Sequence, residues 1–267
     1  MVAGRMSAVA GKPDRMSSLG FAEMLDLIED RSAALRAAAG AAGPAARVPG
    51  CPDWSVRDLV DHLGGVQRFW AAVVAAGPAD APPPEDQIDR SEPGDDLLAW
   101  SAAGTAGLVG ALTEAGPDRP CWTWWPESGA PTTSGAVARH QIQEAAVHAF
   151  DAQEAAGHPE PLPGVVAADG IGEFLTVGMA TMGAWPLAPG RVTLAADDGP
   201  TWTVDLSQSG ARAHQTEGDG GAAEDGSVRG SASDLVLALY GRHLHKALRT
   251  EGDEKLATAM ITWTTSD

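Results

Sequence analysis

RHQIQEAAVHAFDAQE, residues 139–154, carries both the architecture and the chemistry that can be read from this chain. It contains neither Pro nor Gly and is rich in helix formers. Ile142, Ala145, Ala146, Val147, Ala149 and Phe150 supply an apolar side, while Gln141, Gln143 and Glu154 are polar. The pattern predicts one helix over about 134–156. His140, Glu144 and His148 follow one another at four-residue steps, a rise of about 6 Å each and a return to nearly the same face. Glu144 and His148 can therefore hold one ion between a carboxylate oxygen and an imidazole nitrogen, a donor mix that suits zinc. Two donors make a poor site. His62, in SVRDLVDHLGG (residues 55–65), is the candidate third. In the H-E-x-x-H pattern the Glu is a base; here the order is Glu-x-x-x-His, so Glu144 is itself a ligand.

Upstream of this helix, Phe21, Met24, Leu25, Leu27, Ile28 and Leu35 recur at helical spacing until Gly43-Pro44 stops the pattern. A second helix opens at Asp53 or Ser55 as N-cap, with Trp54, Leu59, Leu63, Val66 and Phe69 on its apolar face. Gly64 and Gly65 inside it each cost roughly 1 kcal/mol relative to Ala, which points to close approach by another helix or a ligand. A Pro-rich acidic loop covers residues 77–94, and a third helix is expected over about 95–115. The loop at 116–133 brings Trp122, Trp124 and Trp125 together, placed to wall a pocket or cover a core edge. Four helices with loops of this size read as a four-helix bundle, whose facing helices commonly build metal sites.

Beyond His158 the character changes. PEPLPG (residues 159–164) reads as a linker. A helix is expected over 164–183, through Ile171, Phe174, Leu175 and Val177. RVTLAADDGPTWTVDL (residues 191–206) then alternates with period two around an Asp-Asp-Gly-Pro turn, the mark of a hairpin. ARAHQTEG and GSVRGSA are candidate third and fourth strands. SASDLVLALYGRH begins with a Ser/Asp cap and runs on as a helix, and a last helix spans about 253–261. The expected class is α+β. The expected units are a disordered segment at 1–18, a metal-binding four-helix bundle at 19–158, and a small α/β domain with a mostly antiparallel sheet at 159–267.

With 36 acidic against 18 basic residues the net charge is −18, which repels nucleic-acid phosphates and anionic membranes. Cys51 and Cys121 are too few for a disulfide scaffold and read as reduced, unpaired thiols. There is no apolar run of membrane-spanning length and no h-region near the start, so the expected location is the cytoplasm. Among oligomeric states, monomer or homodimer is expected.

CPDWSVRDLVDHLGG (51–65), TWWPES (123–128), EAAVHAFDAQEAAG (144–157), VAADGIGEFL (166–175), RGSASDLVLALYGR (229–242) and EGDEKL (251–256) form an ordered series. The series resembles the maleylpyruvate isomerase family of mycothiol-dependent enzymes, a branch of the DinB-like bundles, over about residues 20–263. The resemblance implies a DinB-like bundle followed by a small α/β domain, and zinc ligands at His62, Glu144 and His148. It also implies mycothiol as the thiol cofactor. Where family members often carry a His just before the metal Glu, this chain has Gln143, and His140 is an additional histidine.

Three protein ligands leave zinc an open position, the mark of a catalytic site. A thiol bound there is ionised at neutral pH and attacks an electrophilic carbon. Asp151 is a candidate to orient a ligand histidine. Arg139, Arg242 and Arg68 are candidates to hold a substrate carboxylate. Trp124 and Trp125, with Arg68, are the candidate cofactor-binding wall. Because Gln143 departs from the isomerase pattern, the first expectation is S-transfer or thiol exchange on a small electrophile. The alternatives are cis–trans isomerisation of the maleylpyruvate type and, in another class, a non-catalytic small-molecule-binding protein.

Overall fold

Glycines and short polar caps set the limits of the first four helices. In α1 (Phe21–Ala42) the chain stops at Gly43, whose φ of 82° suits glycine, with Pro44 following. Helix α2 (Val56–Ala76) starts in a capping box, Ser55 and Asp58 each accepting the other's backbone N–H. Asp96 caps α3 (Leu97–Ala115), and Thr133 caps α4 (Ser134–Ala155). The computed structural model describes residues 19–216, 224–242 and 247–264. The segment expected to be disordered, 1–18, lies outside the described residues.

Helix α1 packs along α4 and α2 along α3, and the two pairs also meet each other. Gly64 is explained by this packing: its missing Cβ leaves room for the Trp100 ring of α3. Gly65 instead has open space above it and borders a cleft. Just before α2 the chain forms a small ladder, β1 (Arg47–Val48) with β2 (Cys51–Ser55), rather than a plain helix entrance.

The second half is built on a five-stranded sheet. Its strands are β3 (Gly190–Ala196), β4 (Thr201–Ser207), β5 (Gly210–Thr216), β6 (Gly226–Gly230) and β7 (Arg249–Gly252), in the order β5-β4-β3-β6-β7. The hairpin pairs Val192 with Val204 and Leu194 with Trp202, as the alternation requires. All pairings are antiparallel except β3 with β6. The helices of this half among the described residues are α5 (Gly164–Glu173), α6 (Ala232–Leu239) and α7 (Glu254–Trp263). The architecture is α+β, with seven α-helices among the described residues and a mostly antiparallel sheet.

The helix expected to run to residue 183 stops at Glu173. It continues as a π turn, Phe174–Gly178, and a 3₁₀ turn, Met179–Thr181. Within the widened turn the Thr176 hydroxyl donates to the Gly172 carbonyl, 2.7 Å away. The helix after β6 ends at Leu239, and the expected end at His243 lies outside the described residues. The main apolar core is continuous across the two halves: Trp70, Leu108, Ile142 and Phe150 belong to the same buried cluster as Ile171, Leu194, Val236 and Ile261. No helix among the described residues is long and apolar enough to cross a membrane.

Candidate metal centre

Helix α4 presents Glu144 and His148 one turn apart, and α2 brings His62 against them across the helix pair. One donor atom from each of the three lies within 4.8 Å of the others. His148 Nε2 is 3.5 Å and His62 Nε2 3.9 Å from Glu144 Oε2, too far for good hydrogen bonds, and that buried oxygen has no hydrogen-bond partner. Two imidazole nitrogens spread around an orphaned carboxylate oxygen fit a shared cation with bonds of about 2.0–2.2 Å. The donor chemistry therefore suits zinc.

The surroundings fix the ligands. His148 Nδ1 is 2.9 Å from Asp151 Oδ2, which leaves Nε2 turned toward Glu144. Arg242 clamps the same Asp151, Nε to Oδ1 at 3.1 Å and Nη2 to Oδ2 at 2.8 Å. Its Nη2 also lies 3.2 Å from Cys51 Sγ. Gly50 admits this cluster, since a Cβ there would meet Asp151 Oδ1 at 2.8 Å. Trp54 stacks obliquely on His62, with ring centroids 4.8 Å apart.

Electrostatics follow from these contacts. Burial alone would raise the Glu144 carboxyl, but His148, His62 and His140 outweigh it and hold the group well below the usual carboxylate range. Burial likewise disfavours charged His148, yet the hydrogen bond to Asp151 and the nearby Glu144 carboxylate lift its pKa to about 9 before any metal binds. The Asp151 carboxyl is desolvated and still lowered, through His148 and Arg242.

His140 occupies the turn before Glu144. Its Nδ1 is 2.9 Å from Glu173 Oε1, and Tyr240 donates its hydroxyl to Glu173 Oε2 at 3.4 Å. Trp70, Trp124 and Trp125 surround the ring with centroids 5.3–6.0 Å away. A cleft of about 980 Å³ opens over the cluster, bordered by His62, Glu144, His140, Phe69 and Trp124.

The other candidate residues are distributed unevenly. Trp124 borders the cleft and is 41% exposed, whereas Trp125 is buried behind it and donates its indole N–H to the Pro131 carbonyl. Arg139 is buried and turned away, bonded to Asp169 at 2.8 Å. Arg68 borders the cleft, but its guanidinium donates to Asp89, the Gly64 carbonyl and the Trp100 carbonyl. Arg242 is occupied with Asp151, Cys51 and the Tyr240 carbonyl. None of the three guanidiniums expected to hold a carboxylate is free to do so in this arrangement. Gln143 is fully buried, donates to the Val166 carbonyl and packs against Gly170, so it faces α5 and not the cleft. Sequence reasoning did not foresee Trp54, Glu173 or Tyr240 at the site. Their positions depend on long-range packing, and no local pattern marks them.

Residues 25–153 match a family model described as the mycothiol maleylpyruvate isomerase N-terminal domain. Two solved structures share the fold. A histidine-to-alanine variant of the mycothiol-dependent maleylpyruvate isomerase aligns with a TM-score of 0.60, and a structure of that isomerase without the substitution with 0.56. Each is 16% identical to this chain over 87% of its length and 93% of the other chain. No curated protein matches. Over residues 25–153 the chain is similar to the mycothiol maleylpyruvate isomerase N-terminal domain family.

Proposed function

We propose that this chain is a zinc- and mycothiol-dependent enzyme, in first place a cis–trans isomerase of a small electrophilic alkene. The observation that carries the proposal is the convergence of His62, Glu144 and His148 at a cleft large enough for a cofactor and a substrate. Three donors rather than four leave one position for an exogenous ligand. Zinc held by these residues would lower the pKa of a thiol in that position, and mycothiol would supply the thiol as nucleophile for addition to an electrophilic alkene and later elimination.

The chain's own residues do the rest. Asp151, clamped by Arg242, favours the His148 tautomer whose Nε2 would be free to bind a cation. His62 is held in its ring orientation by Trp54. Glu144 stays ionised as a ligand because three histidines surround it. Trp124 offers an apolar face at the cleft that excludes water from one side of a bound ligand.

The case for S-transfer ahead of isomerisation rested on Gln143. That residue is buried against α5 and does not reach the cleft. The departure gives no reason to move away from the isomerase reading, and S-transfer becomes the second one. The finer architecture belongs to the same proposal: a DinB-like four-helix bundle at 19–158, an α/β domain at 159–267, and a cytoplasmic monomer or homodimer.

The test is metal analysis of purified protein, then mycothiol titration of the cobalt-substituted form. The expected result is one ion per chain, a sulfur-to-cobalt charge-transfer band on adding thiol, and loss of both in His62→Ala and Glu144→Gln. Full isomerase activity in metal-stripped protein, or full metal content in both variants, would sink the reading.

A further inference from the structure

The connection between α2 and α3 spans about twenty residues and contains only a 3₁₀ turn, Glu85–Gln87. Loops of that length inside a packed molecule generally carry a function. Residues 88–93 of this loop border the same cleft as His62 and Glu144. They do not hang free. Arg68, only 6% exposed, donates Nε to Asp89 Oδ2 at 3.0 Å. Its other nitrogens reach the Gly64 carbonyl at 3.0 Å and the Trp100 carbonyl at 2.7 Å, tying the loop to α2 and α3 together. The guanidinium lies 3.9 Å over the Trp100 ring. Trp100 in turn donates its indole N–H to the Ser91 carbonyl at 2.7 Å, and Asp89 Oδ1 accepts the Ser91 backbone N–H at 2.9 Å. Gly64 and Gly104 exist where this latch needs space: a Cβ would strike the Trp100 ring at the first and Arg68 Nη1 at the second.

We infer that residues 88–93 are a ligand-contacting wall of the metal cleft, and that Arg68 and Trp100 are positioning residues holding it from behind. Along the wall lie Asp89, held by Arg68, Arg90, paired with exposed Glu85 at 3.1 Å, and Ser91 and Glu92, groups of both signs, and the exposed Trp124 ring borders the same cleft. Mixed hydrogen-bonding groups beside an aromatic face suit a hydroxyl-rich, uncharged group better than a carboxylate or an alkyl chain. A long thiol with its sulfur at the metal would extend along the cleft and bring its polyol part to this wall. The inference rests on the proposed thiol-dependent reading and assigns the residues that select the thiol.

Two variants loosen the latch without removing buried Arg68. Asp89→Ala deletes a carboxylate that is 61% exposed, and Trp100→Phe deletes the donor to Ser91 while keeping an aromatic ring. The measurements are hydrogen exchange across 85–93, and calorimetric Kd values of the zinc-loaded protein for mycothiol and for N-acetylcysteine. Each variant is expected to speed exchange in that segment. Each is also expected to weaken mycothiol about tenfold through lost pre-organisation and to leave N-acetylcysteine within about twofold. Faster exchange with unchanged mycothiol binding overturns the wall, as does equal weakening of both thiols. Wild-type protein that binds neither thiol overturns the thiol-dependent reading itself, a result distinct from either.

Discussion

Cys121 shows how the site's chemistry is kept away from the chain's own thiols. Burial pushes its pKa up to about 11, only partly opposed by Arg119. Cys51 is also raised, by burial ahead of the opposing pull of Arg242. At pH 8 a thiol of pKa about 11 is roughly one part in a thousand thiolate, against about a quarter for a free cysteine. Iodoacetamide should therefore label native Cys121 at least a hundredfold more slowly than unfolded protein at that pH, with the rate still rising tenfold per unit up to about pH 10. Peptide mass spectrometry over a pH series checks it, and fast labelling at pH 8 would contradict the burial argument. The two cysteines, Cys51 and Cys121, are both free, as their number suggested. Legibility at this scale tracks locality. Glu144 and His148 were readable because one helix sets their spacing. Glu173 was not, because it meets His140 from 33 residues away through the packing of α5 on α4.

Helix α4 is the element that serves both halves of the chain. One face carries Glu144 to the cleft with His148 buried beside it, and Arg139 ties another to α5 through Asp169, with both side chains buried. The sequence alone offers Arg139 as a group to hold a substrate carboxylate. Sequence could not show that the buried partner exists, since Asp169 looks like any helix acid. Removing one member of a buried pair leaves an uncompensated charge and costs about 3–5 kcal/mol. Asp169→Asn should lower unfolding stability by that amount while zinc stays stoichiometric, read by urea denaturation and metal analysis. A stable variant that has lost substrate turnover would return Arg139 to the catalytic list. Element limits fared well where caps and glycines spoke, as at Gly43, Ser55 and Gly116. They fared worse for β1, β2 and β7, whose pairing is long-range or too short to leave an alternation.

At the scale of the whole molecule, the expected division near residue 158 is crossed by more than a linker. Arg139 bonds Asp169, His140 meets Glu173, and Arg242 clamps Asp151. The apolar core is continuous between α2–α4 and the sheet with α5–α7. Composition and the Pro-rich PEPLPG segment argued for two units because sequence shows the linker and not the surface buried on either side of it. If the halves share a core, neither keeps its stability when the other unfolds. Calorimetry should then show one endotherm whose van't Hoff and calorimetric enthalpies agree. Zinc bound by residues of the first half should raise that single midpoint as a whole, because binding to the native state alone stabilises by RT ln(1 + [zinc]/Kd). Asp151 and His148 transmit the effect to Arg242, so chelation should lower the midpoint for the sheet half equally, followed by hydrogen exchange in β3 and β4. Two separate endotherms, with only the first moving on chelation, would show that the halves unfold independently and that the shared core contributes little to stability.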